Sequence, residues 1–132
     1  MTDMLTIKIS QRTRGSRAAV LHLTGRLNAE TEAQLMEAAR QAFDTGSRHL
    51  LLDLTGIDLI TSAGLRGFQN IYKLFTPQNE IEAHRQDGVP YKSPYFKLAC
   101  PSSQIYYIIE LAGFLQNIPL YNNLQDAVAS FS

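Results

Sequence analysis

The chain has 132 residues, 12 Lys+Arg against 12 Asp+Glu and a formal net charge of zero, with 45% hydrophobic and 18% charged residues. A chain this long can bury roughly 65–70% of its unfolded surface in one core, so residues 1–132 are expected to form a single domain; the balanced charge disfavours a dedicated nucleic-acid binder, and the composition disfavours disorder. Cys100 is the sole cysteine, which excludes an intrachain disulfide and a cysteine-rich zinc site; with no apolar run near the ~18 residues of a spanning helix, the expectation is a cytoplasmic protein without direct membrane insertion.

Residues Met4 to Ser10 alternate, with Leu5, Ile7 and Ile9 on one face, and Ala18 to Thr24 places Leu21 and Leu23 on one face, which predicts two strands joined by a hairpin around Gly15. Asn28 or Thr31 can cap a helix with apolar Leu35, Ala38, Ala39, Ala42 and Phe43, and Gly46 is placed to end it. His49 to Leu54 holds three leucines in succession, as in a central strand covered on both faces. A loop is expected over Thr55 to Ile60. It leads to a helix with Leu65, Phe68, Ile71, Tyr72 and Phe75 inward, Thr61 or Ser62 as its capping hydroxyl, and Pro77 closing it. The polar, Pro- and Gly-containing segment 76–94 is expected to be a mobile loop insertion. Tyr95 to Cys100 resumes a strand, and Pro101-Ser102-Ser103 opens a helix that presents Ile105, Ile108, Ile109 and Ala112. Ile118 to Tyr121 is expected at a sheet edge, and Asn122 or Asn123 caps a last helix with Leu124, Ala127, Val128 and Phe131 inward. Strands alternating with helices predict an α/β or α+β domain.

Enzymatic signatures are weak. Ile60-Thr61-Ser62-Ala63-Gly64 stands at a strand-to-helix turn, but a hydrolase nucleophile elbow needs a glycine where Ile60 stands. His22, His49 and His84 lack metal-ligand spacing, and no metal or other cofactor is expected. The pairs Glu30/Glu32 and Glu80/Glu82 suit a helix start and a solvated loop. Gly64-Leu65-Arg66-Gly67 lacks the elements of a phosphate cradle, and Arg12, Arg14 and Arg17 read as an exposed hairpin cluster. Ser62 has two readings. Its hydroxyl is a helix cap, or it is a place where a phosphate of −1.5 to −2 charges is tolerated by the helix dipole.

Leu51-Leu52-Asp53-Leu54-Thr55-Gly56-Ile57 followed by Ile60-Thr61-Ser62-Ala63-Gly64-Leu65 resembles the signature of STAS domains, the family shared by bacterial anti-sigma factor antagonists and the cytoplasmic tails of sulfate transporters. Leu23 to Ala29 resembles the family's strand and helix-entry segment, and Ile109 to Phe114 with Tyr121 to Ala127 its C-terminal helix, turn and helix. The resemblance implies a STAS-like mixed β-sheet flanked by about four α-helices, and a binding module without catalytic activity of its own. For the antagonist branch it further implies that Ser62, with Thr61 as the alternative, is phosphorylated by an anti-sigma factor that is also a serine kinase of the histidine-kinase-like ATPase class, and that a serine phosphatase reverses the modification. The unmodified form would sequester the anti-sigma factor and so regulate transcription. The expected partner-binding residues are Ile57, Asp58, Ile60, Thr61, Ser62 and Arg66. Thr61 stands where the family usually has an acidic residue, which favours as the alternative a non-phosphorylated STAS adaptor of a transporter ATPase or signalling assembly; a small-ligand binder is a third reading.

Overall fold

A computed structural model describes residues 5–12, 18–85, 91–100, 102–112 and 117–131. Strands β1 (Leu5–Arg12), β2 (Ala18–Leu27), β3 (His49–Ile60), β4 (Phe96–Ala99) and β5 (Leu120–Tyr121) form one sheet in the order β1-β2-β3-β4-β5. The β1/β2 pair is antiparallel and the other three pairs are parallel, so the sheet is mixed. Five helices accompany it among the described residues: α1 (Glu32–Asp44), α2 (Ser62–Phe75), α3 (Gln78–Arg85), α4 (Ser103–Leu111) and α5 (Leu124–Ala129).

Strand period places alternate residues on opposite faces. Ala19, Leu21 and Leu23 of β2, Leu50, Leu52 and Leu54 of β3 and Phe96 and Leu98 of β4 pack in the main core with Leu35 and Ala39 of α1, Phe68 and Ile71 of α2 and Ile105 and Ile109 of α4. The opposite face is covered at Val20, Leu51 and Ala99 by α5, through Ala127 with Leu124, Val128 and the following Phe131. The leucine run of β3 is therefore covered on both sides, and β3 is the central strand. Asn123 caps α5 through its side chain, which accepts from the Asp126 amide at 2.8 Å.

Two sequence expectations about the fold are corrected. The third strand does not yield to a loop at Thr55 but continues to Ile60, because a register shift between His22 and Thr24 lets Gly56, Ile57, Leu59 and Ile60 pair with the extended end of β2. Gln78–Arg85 is a helix, not part of a loop. Among its described side chains Ile81 packs against the core, too little for a periodic signal, and the helix is tied down by Glu80, whose carboxylate accepts from the hydroxyls of Tyr91 at 3.0 Å and Tyr95 at 2.7 Å. Ser93 within the same segment is buried and hydrogen-bonded to Thr76 at 2.8 Å. The mixed sheet flanked by helices agrees with the expected fold, and α3 brings the helices among the described residues to five. Ile9 is 53% exposed although it shares the face of Leu5 and Ile7, since β1 is an edge strand. The hairpin turn around Gly15, the Arg14 and Arg17 positions and residues 86–90 lie outside the described residues.

Candidate functional site

The sheet end formed by β2 and β3 carries the β3–α2 turn, and backbone contacts fix its position. Ile60 pairs with Leu27, the next amide, Thr61 N–H, donates to the Leu27 carbonyl at 2.9 Å, and the Thr61 hydroxyl lies 3.4 Å from the same oxygen. The first turn of α2 then sits flush on β2: a Cβ at Gly64 would lie 2.8 Å from the Leu27 carbonyl oxygen and 2.9 Å from Leu27 Cβ, distances that only glycine satisfies without movement. The neighbouring β2–α1 turn is equally constrained. Gly25 has φ 122°, and Asn28 Oδ1 accepts from the Glu30 and Thr31 amides at 3.0 and 3.1 Å while the Thr31 hydroxyl donates to the Arg26 carbonyl at 2.8 Å.

On this frame Ser62 is the first residue of α2 and is exposed. Thr61 occupies the cap position in extended conformation, yet its side chain makes no cap hydrogen bond, because the hydroxyl is directed to Leu27 instead. The expectation of a capping hydroxyl at Thr61 or Ser62 is thereby corrected. An anion on the Ser62 hydroxyl would stand at the positive end of a 14-residue helix dipole. Arg66, 65% exposed and one helical turn along on the same side, points its Nε to Glu32 of α1 at 3.5 Å.

Of the expected partner-binding residues, Asp58, Ser62 and Arg66 are exposed and Thr61 is half-buried. Ile57 and Ile60, 4% and 6% exposed, belong to the core, so their side chains support the surface and do not form it. The exposed apolar group is Leu59, 40% accessible, and the rim includes Arg26, whose Nε is 4.0 Å from Asp58. Leu59 and Arg26 were missed because a surface Leu in a presumed loop and an Arg 33 residues upstream carry no sequence signal until β2 and β3 are paired in register.

The opposite face of β3 holds a second polar arrangement. The Asp53 carboxylate is buried; burial raises its pKa, but hydrogen bonds from the Thr55 hydroxyl, His22 and the Thr55 amide, with the charge of His22 when that ring is protonated, outweigh this and hold it below the usual carboxylate range. No helix among the described residues is long and apolar enough to cross a membrane, and no group of three or more His, Cys, Asp or Glu among them is arranged to hold a metal ion.

A family profile described as "Mlab, STAS domain" matches residues 10–80. Similar solved structures include an anti-sigma factor antagonist from Mycobacterium paratuberculosis, at TM-score 0.76 and 18% identity over 97% of this chain and 94% of that one. The anti-sigma factor antagonist SpoIIAA in its unphosphorylated form superposes at TM-score 0.59 and 11% identity over 94% of each chain. The murine solute carrier 26 family member A9 anion transporter, in an inward-facing state, does so at TM-score 0.60 and 18% identity, over 86% of this chain but 17% of that one. No curated protein matches the sequence.

Proposed function

The chain belongs to the STAS domain family, and from that premise we propose that it is an anti-sigma factor antagonist, a cytoplasmic bacterial module that sequesters an anti-sigma factor/serine kinase of the histidine-kinase-like ATPase class and is switched by phosphorylation of Ser62. The observation that carries this reading is an exposed hydroxyl on the first residue of α2, engaged in no cap, on a turn held by the Leu27 carbonyl. Its fold neighbours include solved anti-sigma factor antagonists, which supports the choice of partner class.

The switch would be electrostatic. A phosphate on Ser62 is tolerated in the free chain by the helix dipole and by Arg66 one turn along, which can leave the half-buried Glu32 for a stronger, charge-assisted pair. Pressed against a partner without a cation opposite, the same dianion would cost several kcal/mol of desolvation, enough for a hundredfold or greater loss of affinity at ~1.4 kcal/mol per decade. A serine phosphatase would restore binding. The surface offered to the partner comprises Asp58, Leu59, Thr61, Ser62 and Arg66, with Ile57 and Ile60 beneath it.

A second reading keeps the surface and removes the switch: a constitutive adaptor of a transporter ATPase or signalling assembly. The neutral Thr61, its hydroxyl turned inward to Leu27, favours it, since no carboxylate adjoins Ser62 to orient the hydroxyl toward a kinase. Calorimetric titration of the wild type, Ser62→Ala and Ser62→Asp with the anti-sigma factor separates the two. The switch requires tight binding by the first two and weak binding by the third; equal affinity of all three sinks it in favour of the adaptor.

A further inference from the structure

Three residues that are far apart in sequence meet on the sheet face opposite the main core. Lys8, Ser10, His22 and Asp53 all point to that face by strand alternation: Lys8 is directly opposite His22 across the antiparallel pair, and His22 is opposite Asp53 across the parallel pair. Asp53 Oδ2 lies 2.7 Å from His22 Nδ1, and His22 Nε2 lies 2.9 Å from Ser10 Oγ. A carboxylate only accepts, so Nδ1 carries the imidazole proton, Nε2 of the neutral ring is the acceptor, and the Ser10 hydroxyl donates to it. Hydrogen bonds from the Thr55 amide and hydroxyl to Asp53 Oδ1 hold the carboxylate in place, while the half-buried imidazole leads outward to an exposed serine.

This is the order of contacts that turns a serine hydroxyl into a nucleophile: the carboxylate orients the imidazole and stabilises its protonated form, and the imidazole removes the hydroxyl proton. We propose that Ser10 is a covalent-modification site, an activated hydroxyl that takes an acyl group from small acyl phosphates. Ser10 Oγ attacks the carbonyl carbon, its proton passes to His22 Nε2, and the bond from that carbon to the phosphate oxygen breaks with its electron pair leaving on phosphate. The imidazolium then returns the proton to the departing phosphate, so the products are an ester at Ser10 and inorganic phosphate, with no oxidant or reductant required. The ammonium of Lys8, exposed on the same face next to His22, favours an anionic donor over a neutral ester. The modification is stoichiometric and stands apart from Ser62, which lies at the end of β3 on another element. It would replace a polar surface group by an acyl ester on the part of this face that α5 leaves uncovered.

The test is incubation of the full chain with acetyl phosphate, peptide mass spectrometry, and a hydroxylamine wash, which releases esters and spares the amides formed on lysine. The expected result is a hydroxylamine-labile acetyl group on Ser10, formed at least about tenfold faster than on exposed Ser103 of the same molecules, absent in Ser10→Ala, and slowed on the order of a hundredfold in His22→Gln that retains the wild-type circular dichroism. Acetylation confined to lysines, an ester on Ser10 no faster than on Ser103, or an undiminished rate in folded His22→Gln overturns the proposal. The comparison with Ser103 is made within the wild type, so it decides the matter even where the His22 variant fails to fold.

Discussion

Two glycines three residues apart in α2 should respond in opposite directions to the same substitution. Alanine is favoured over glycine inside a helix by about 0.8–1.0 kcal/mol, so on propensity alone both Gly64→Ala and Gly67→Ala should stabilise the protein. At Gly67 nothing opposes this, since a Cβ would meet Leu35 Cδ2 at 3.6 Å and Glu32 Cγ at 3.7 Å, ordinary contact distances. At Gly64 the Cβ would meet the Leu27 carbonyl oxygen at 2.8 Å and Leu27 Cβ at 2.9 Å. Leu27 is fully buried, and its carbonyl accepts the Thr61 amide, so neither atom can move without opening the junction of β2 and α2. Overpacking of this kind costs about 1–3 kcal/mol and a weakened backbone hydrogen bond about 0.5–1.5 kcal/mol more. Offset by the propensity gain, Gly64→Ala should be about 0.5–3.5 kcal/mol less stable than the wild type, and Gly67→Ala up to about 1 kcal/mol more stable. Urea denaturation followed by circular dichroism measures both, with unchanged slopes ensuring that midpoints compare like with like. A Gly64→Ala protein as stable as the wild type would refute the reading that this close approach positions Ser62. Gly64→Ala should also weaken partner binding, because the turn bearing Ser62 moves with it.

Ser62→Ala should change stability by less than about 0.5 kcal/mol, since the hydroxyl is exposed and caps nothing, whereas Asn123→Ala should cost about 1 kcal/mol through loss of its cap on α5; equal losses in thermal melts would contradict the assignment of caps. Arg66→Ala should cost the unmodified protein no more than about 1 kcal/mol, as expected of a partly exposed ion pair, but should destabilise Ser62→Asp more than the wild type if the two side chains pair along α2. His49 is held below its ordinary pKa of 6.5, first by burial and then by the Lys97 charge, its ring lying against Tyr95 and Phe131. Its unfolded form therefore takes up a proton before the folded form does, and stability should fall as pH drops below about 6.5, a slope that His49→Phe should remove in melts between pH 7 and pH 5. Asp53, with its folded pKa depressed, has the acid-labile sign as well but a lower window. Its contribution is complete above the unfolded carboxylate pKa near 4 and lost as pH falls through the folded value, so Asp53→Asn should flatten the stability curve below about pH 4 and not above it.

Residue order by itself settled those features that rest on local periodicity and punctuation. The leucine run from Leu50 to Leu52 could not be half-exposed, which made β3 central, and the spacing of Leu124, Ala127, Val128 and Phe131 specified α5, with its cap narrowed to Asn122 or Asn123. Ser62 was legible as the start of a helix because a buried strand must surface before the chain can turn back. Features that depend on pairing between distant segments were not legible. Thr55 to Ile60 reads as loop because its polar residues and Gly56 are poor strand formers, and only the shifted register against β2 makes it strand. Among its described side chains the helix Gln78–Arg85 packs Ile81 against the core, and it depends on tyrosines 11 and 15 residues away from Glu80. The division of the site, with Ile57 and Ile60 inward and Leu59 outward, follows from how β3 meets the sheet end, and the loop reading of 55–60 assigned these residues to no face. The Ser10–His22–Asp53 line lies on three strands, with separations of 12 and 31 residues, and no spacing rule connects them. Periodicity reports which side of an element is buried; which residues become neighbours is decided by strand order and register, which are properties of the assembled sheet.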